Sequence, residues 1–182
     1  PGSTLFPSTT LFRSEIQARP AWCAQENFRT ARLGPELKVL EMDWNDLGPA
    51  DLGGPVDFVV ANPPYRELGS GRVNPNDEAA RARHEFKGGL KTAVAAAVRI
   101  LTPKGRMAII YPASRLAGLV YELGRARLEP KRLRLIHGRQ GDQARLALVE
   151  ALMNGGEELQ VLPPLFVHEE NGTYSAEIED VI

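Results

Sequence analysis

The residues whose types and spacing point to chemistry are Asn62, Pro63, Pro64 and Tyr65, which follow directly on the apolar run Phe58 to Ala61. An amino group attached to a π-system is a poor nucleophile because its lone pair is delocalised into that system. Two acceptors placed to take both of its hydrogens draw the nitrogen toward tetrahedral geometry and free the pair. The side-chain oxygen of Asn62 can be one acceptor and the carbonyl of Pro63 the other. Pro63 fixes its own φ, and each proline pushes the residue before it into extended geometry, so both acceptors are held stiffly. Tyr65 can then stack on the ring that carries the amino group. The pattern suits transfer of a methyl group to an exocyclic amino nitrogen. A plainer reading of the same residues is a proline turn in which Asn62 caps a strand. Strand, amide, double proline and aromatic occurring together and in order favour the chemical reading.

The elements that must position this motif are legible around it. Phe58 to Ala61, with two β-branched residues, has the pattern of a strand buried on both faces, as in a parallel sheet. In open α/β sheets ligands bind at the carboxyl ends of such strands, where Asn62 lies. Pro20 suits the first position of a helix that Gly34 ends, and Leu37 to Met42 reads as the next strand, closing in Asp43 and Trp44. Phe86, Leu90, Val94, Ala97 and Leu101 recur at helical spacing; Pro103-Lys104-Gly105 then turns the chain into a strand over Arg106 to Tyr111. Ser114 is the expected cap of a further helix whose Leu116, Leu119 or Val120, and Leu123 face inward, with Pro130 ending it. Arg132 to His137 and Arg145 to Leu152 form an expected antiparallel pair, and Asn171-Gly172 signals a tight hairpin.

Asn62-Pro63-Pro64-Tyr65 resembles the catalytic motif of amino-directed methyltransferases. The run Tyr65 to Pro75, followed by Ala82-Arg83-His84-Glu85, resembles the bacterial tRNA adenine-N6 methyltransferases that modify valine tRNA. The resemblance extends from about Glu15 to the C-terminus. It implies a Rossmann-like class I α/β fold, a mostly parallel sheet with a C-terminal antiparallel hairpin, S-adenosylmethionine as cofactor and tRNA as partner. It also implies site roles: Glu15 for the cofactor ribose, Asp43 for its adenine amino group, Trp44 for the wall of its pocket, and Asn62, Pro63, Pro64 and Tyr65 for catalysis. Read without the resemblance, Glu15 is a first-turn charge and Asp43 a turn residue after a strand.

Residues 1 to 14 repeat Thr-Leu-Phe among Ser, Thr and Pro, and resemble a translated adaptor more than a protein segment. With them set aside, residues 15 to 182 are expected to be a partial methyltransferase domain. On this resemblance its first strand and glycine-rich loop are expected to be missing, and the chain as written is expected to fold poorly or aggregate, to bind no S-adenosylmethionine measurably and to be inactive. Two other readings remain open at this stage. One is a methyltransferase for a protein glutamine amide or another nucleic-acid amino group; the other is a non-catalytic RNA-binding domain.

The net charge of −1 hides an uneven distribution. Residues 66 to 149 carry seventeen basic against seven acidic side chains, whereas residues 150 to 182 carry eight acidic and no basic ones. A basic middle suits phosphate binding. Within it, the long polar stretch after Tyr65 offers Arg66, Arg72, Arg81, Arg83 and Lys87 for phosphates and His84 for a base or the backbone. One cysteine, Cys23, excludes an internal disulfide and fits a reducing cytoplasm; His137 and His168 lack metal-ligand spacing, so no metal is expected. No apolar run reaches the length of a membrane span, so no membrane partner is expected. Replacing both Arg81 and Arg83 by Glu is expected to weaken tRNA binding and flatten its salt dependence, with S-adenosylmethionine affinity unchanged, as measured by filter binding across a salt series.

Overall fold

The computed structural model describes residues 11–15, 37–65 and 89–180. Its strands fall into two sheets. Strands β1 (Leu11–Glu15) and β2 (Leu37–Glu41) pair in parallel, with Glu15 opposite Glu41. The second sheet has six strands: β3 (Val56–Ala61), β4 (Leu101–Pro112), β5 (Leu128–His137), β6 (Ala144–Met153), β7 (Gln160–Val161) and β8 (Leu165–Phe166). Its order is β3-β4-β6-β5-β7, with β8 also on β5. β3 runs parallel to β4, β6 is antiparallel to both β4 and β5, and β7 and β8 lie parallel to β5. The expected antiparallel pair is therefore present as β5 and β6. Strand β1 takes in Leu11 to Ser14, part of the segment that composition sets aside, and among the described residues it pairs with β2 alone. The helix expected from Pro20 to Gly34 lies outside the described residues.

Helices α1 (Leu90–Ile100) and α2 (Leu116–Arg125) pack on one face of the larger sheet. Period-2 alternation along the strands decides which side chains meet them. Met107, Ile109 and Tyr111 of β4 are buried together with Ala147, Val149 and Ala151 of β6. Leu90, Val94 and Ala97 of α1 and Leu119 and Leu123 of α2 close over that layer. On β5 the buried residues change parity, from Leu128 and Pro130 to Leu133. A bulge between Pro130 and Arg132 accounts for this, because one extra residue turns the strand over and returns Leu133 to the core face.

The opposite face is more open, and here the sequence reading needs correction. β3 is not buried on both faces. Val59 and Ala61 lie level with Met107 and Ile109 and pack against the core, but Phe58 is 53% exposed and Val60 74%. An apolar run cannot reveal how many faces are covered; that depends on where helices pack, and α1 and α2 are both on the Met107 face. The open face carries charge instead. Arg106, Glu150 and Arg132 form ion pairs across β4, β6 and β5. Arg134 makes a two-pronged pair with Glu177 of the short C-terminal helix α3 (Ala176–Glu179), and its Nε donates to the Pro163 carbonyl at 3.0 Å. The Arg134 guanidinium, hydrogen-bonded to Glu177, holds its carboxyl below the ordinary range.

Three further boundaries differ from expectation. Pro103 to Gly105 does not separate helix from strand. Leu101 already pairs with Val56, and the three residues bulge out before Arg106 resumes the ladder opposite Phe58. Gly105 is needed there, since a Cβ would stand 2.7 Å from Leu101 Cδ2 and 3.1 Å from the Thr102 carbonyl. Ser114 makes no capping hydrogen bond; it sits in a 3-10 turn, Ala113–Arg115, that leads directly into α2. Pro130 does not end α2 either. The helix stops at Ala126, Arg127 takes a left-handed φ of 59°, and Pro130 lies inside β5 beside the bulge, where a missing N–H is tolerated. The tight turn at Asn171-Gly172 is present, with Gly172 at φ 89° and His168 bridged to Tyr174.

Of the two alternatives at the second core position of α2, Leu119 is fully buried and Val120 is 36% exposed. Leu119→Ala should therefore cost about 2–5 kcal/mol in urea unfolding, and Val120→Ala under about 1 kcal/mol.

Candidate active site

Strand β3 delivers the chain to the carboxyl edge of the sheet, and the double proline lifts it off. Pro63 is fully buried and anchors the turn, while Asn62 and Pro64 are exposed. The Tyr65 hydroxyl donates to Asn62 Oδ1 at 2.8 Å. Tyr65 is half-buried, and its ring meets Tyr111 edge to face, with centroids 5.9 Å apart and planes at 84°. Tyr111 is 3% exposed and belongs to β4, the neighbouring parallel strand. A chain of contacts therefore runs from the core through Tyr111 and Tyr65 to the amide of Asn62. Its effect is chemical. One lone pair of Oδ1 is taken by Tyr65, which fixes the orientation of the amide, and the second stays open for an N–H donor.

A second group of acceptors lies in the turn after β2. Because β1 and β2 are parallel, Glu15 and Glu41 end them side by side, and the turn at Asp43 follows β2. Asp43 Oδ1 accepts from the Asn45 backbone N–H at 2.8 Å and from Asn45 Nδ2 at 2.9 Å, while the Asp43 carbonyl accepts from the N–H groups of Asp46 and Leu47. This is the turn that the residue types alone suggest, and it leaves Oδ2 without a partner in that turn. Arg99, in the last turn of α1, clamps it from below. Its Nε donates to the Leu47 carbonyl at 2.6 Å and its Nη2 to the Trp44 carbonyl at 2.5 Å.

The structure thus joins Asn62, Pro63 and Tyr65 in one turn and puts Asp43 and Trp44 in another. Arg66, Arg72, Arg81, Arg83, His84 and Lys87 lie outside the described residues. Sequence reasoning missed Tyr111 and Arg99. Tyr111 carried a signal, an aromatic at the carboxyl end of a strand. Arg99 carried none beyond the common preference for cations in a helix's last turn.

The folded chain was compared with solved structures. It superposes on a protein described as a predicted O-methyltransferase from Agrobacterium tumefaciens with a TM-score of 0.70, at 21% identity, covering 94% of this chain and 76% of that one. With TrmN from Thermus thermophilus the TM-score is 0.51 at 18% identity, covering 83% of this chain and 38% of that one. The fold is that of the class I S-adenosylmethionine-dependent methyltransferases.

In sequence, the chain is homologous to the tRNA1(Val) (adenine(37)-N6)-methyltransferase of Porphyromonas gingivalis. Identity to the protein of strain W83 is 31% over 144 residues, which is 70% of this chain and 56% of that protein. To the protein of strain ATCC 33277 it is 30% over 130 residues, 70% of this chain and 50% of that protein. The chain thus spans about half the length of the curated relatives it matches. No family model matches it.

Removing the clamp tests how the Asp43 turn is held. Arg99→Ala breaks two hydrogen bonds from a charged donor to backbone carbonyls and should lower stability by about 1.5–3 kcal/mol in urea unfolding, with Tyr111 and the core unaffected.

Proposed function

We propose that the protein transfers a methyl group from S-adenosylmethionine to the N6 amino group of an adenine in tRNA. The observation that carries this reading is the Tyr65 hydroxyl holding Asn62 Oδ1 at 2.8 Å, at the carboxyl edge of a class I sheet. Asn62 takes one amino hydrogen of the adenine on its open lone pair. Pro63 supplies its carbonyl for the other, and Pro64, lacking an N–H, cannot compete for a partner there. Withdrawing both hydrogens makes the nitrogen lone pair available for in-line attack, and catalysis rests on positioning. The accessible part of the Tyr65 ring receives the base. The nitrogen becomes cationic on alkylation and sheds its proton to solvent, so no strong general base is required.

The carboxyl ends of β1 and β2 are the place we assign to the cofactor. Glu15 would take the ribose hydroxyls, Asp43 the adenine amino group through its remaining carboxylate oxygen, Trp44 would wall the pocket, and Asn62 would border the reacting end. S-adenosylmethionine, when bound there, supplies an electrophilic methyl group on a sulfonium. Arg99 keeps the Asp43–Leu47 turn in place while it binds.

Two features support tRNA as substrate. The relatives from Porphyromonas gingivalis carry a tRNA activity in their names, and residues 66 to 149 are basic by ten charges. A single-stranded loop offers its bases without the cost of opening a duplex. No described helix is long and apolar enough to cross a membrane, and a tRNA-directed enzyme works in the cytoplasm. For the full-length protein, Asn62→Ala should leave S-adenosylmethionine affinity within a few-fold while lowering turnover by about a hundredfold or more, the scale for losing one transition-state partner. Nucleoside analysis of treated tRNA reads the product; turnover at the wild-type rate would remove Asn62 from the mechanism.

A further inference from the structure

A cleft lies among the described residues away from Asn62. It has a volume of about 380 Å³ and lies at the turn between β5 and β6. Strand directions place it. Ile136 pairs with Leu146, Leu146 pairs with Pro112, and β3 runs parallel to β4, so the cleft opens on the same carboxyl edge as Asn62. Three strand spacings separate β3 from β5 in the order β3-β4-β6-β5, about 14 Å.

Two guanidinium side chains line this cleft, those of Arg139 and Arg145, and both residues are exposed. Among the described residues neither forms an ion pair, whereas Arg106, Arg125, Arg132 and Arg134 on the same sheet and its helices all do. Asp142 is the carboxylate in the lining, and it is committed locally: its Oδ2 accepts from the Arg139 backbone N–H at 2.9 Å. Gly138 permits that approach, since a Cβ there would stand 2.8 Å from Asp142 Oδ2. The lining keeps an excess of one positive charge, with two histidines beside it. His137 Nδ1 lies 2.8 Å from the Asp142 carbonyl and donates to it, so this imidazole is committed to the turn. His168 carries the one buried side-chain polar atom without a partner among the described residues, Nδ1. Two guanidiniums without carboxylate partners suit an anion with several acceptor oxygens.

We infer that the cleft at the β5–β6 turn binds a phosphodiester of the RNA strand whose target base sits at Asn62, with Arg139 and Arg145 as its cationic contacts. The inference rests on the proposed action on tRNA. A chain crossing the carboxyl edge from Asn62 meets this cleft a few nucleotides from the target base, so the contact sets register and affinity without reading sequence.

The test uses the full-length protein and a tRNA transcript, with affinity measured by filter binding over a salt series. Arg139→Gln with Arg145→Gln should weaken binding at least several-fold at low salt and make the slope of log affinity against log salt shallower by about one, while S-adenosylmethionine affinity stays unchanged. The pair Arg139→Lys with Arg145→Lys, which keeps the charge, should keep the slope. Lys104→Gln, on the opposite edge of the same sheet, should leave it unchanged. An unchanged slope in the double glutamine variant, or an equal loss in Lys104→Gln, would overturn the cleft as a phosphodiester site while leaving the tRNA reading intact. No binding of the transcript by the wild-type protein would overturn the tRNA reading and the cleft with it.

Discussion

The contact on which the site depends is the one between Tyr111 and Tyr65. Tyr111 is a core residue, held on the same face of β4 as Met107 and Ile109 under α1 and α2. It is also the last of that series before the strand ends at Pro112, so its ring reaches the carboxyl edge. There it meets Tyr65 edge to face, an arrangement that suits the positive rim and negative face of two aromatic rings. Tyr65 in turn orients the Asn62 amide. Packing energy from the interior is thereby converted into the fixed direction of one carbonyl lone pair. An asparagine on an unsupported turn would have to be ordered during the reaction, and here that ordering is done in advance.

Strand direction also decides where the other polar groups come together. β1 and β2 are parallel, so Glu15 and Asp43 come to one end of their ladder; β3 and β4 are parallel, so Asn62 and Tyr111 come together. The antiparallel β6 then lets a short turn return the chain to this edge, which brings Arg139 and Arg145 into line with the motif. Arg99 adds a restraint of a different kind. It reaches from the end of α1 to two carbonyls more than fifty residues earlier in the chain and joins the Asp43 turn to the core helix.

Charge is sorted between these regions. On the open face of the sheet, basic residues are neutralised by Glu150 and Glu177, so the positive balance of the middle of the chain does not spread evenly over it. At the β5–β6 turn Arg139 and Arg145 have no ion-pair partner among the described residues. The acidic C-terminal segment therefore does structural work as well, since Glu177 docks α3 on Arg134.

Much of this was legible in the amino-acid sequence because its causes are local. Proline stereochemistry shapes the Asn62 turn whatever surrounds it, helical spacing marks Leu90, Val94 and Ala97 as one face, and the alternation in residues 132 to 137 and 145 to 152 pairs them across a short turn. The class I fold was implied by the resemblance that the Asn62-Pro63-Pro64-Tyr65 motif carries. Tertiary structure decided the rest. An apolar run such as Phe58 to Ala61 reads the same whether one face or two are covered, so only helix placement showed Phe58 and Val60 to be exposed. Pro130 breaks a helix or sits at a bulge with equal ease, and the bulge depends on its partner strand. Tyr111, Arg99 and the pairing of Arg139 with Arg145 act across contacts between segments far apart in the chain or on opposite sides of a turn. No periodicity records such contacts, because they come into being only when the sheet is assembled.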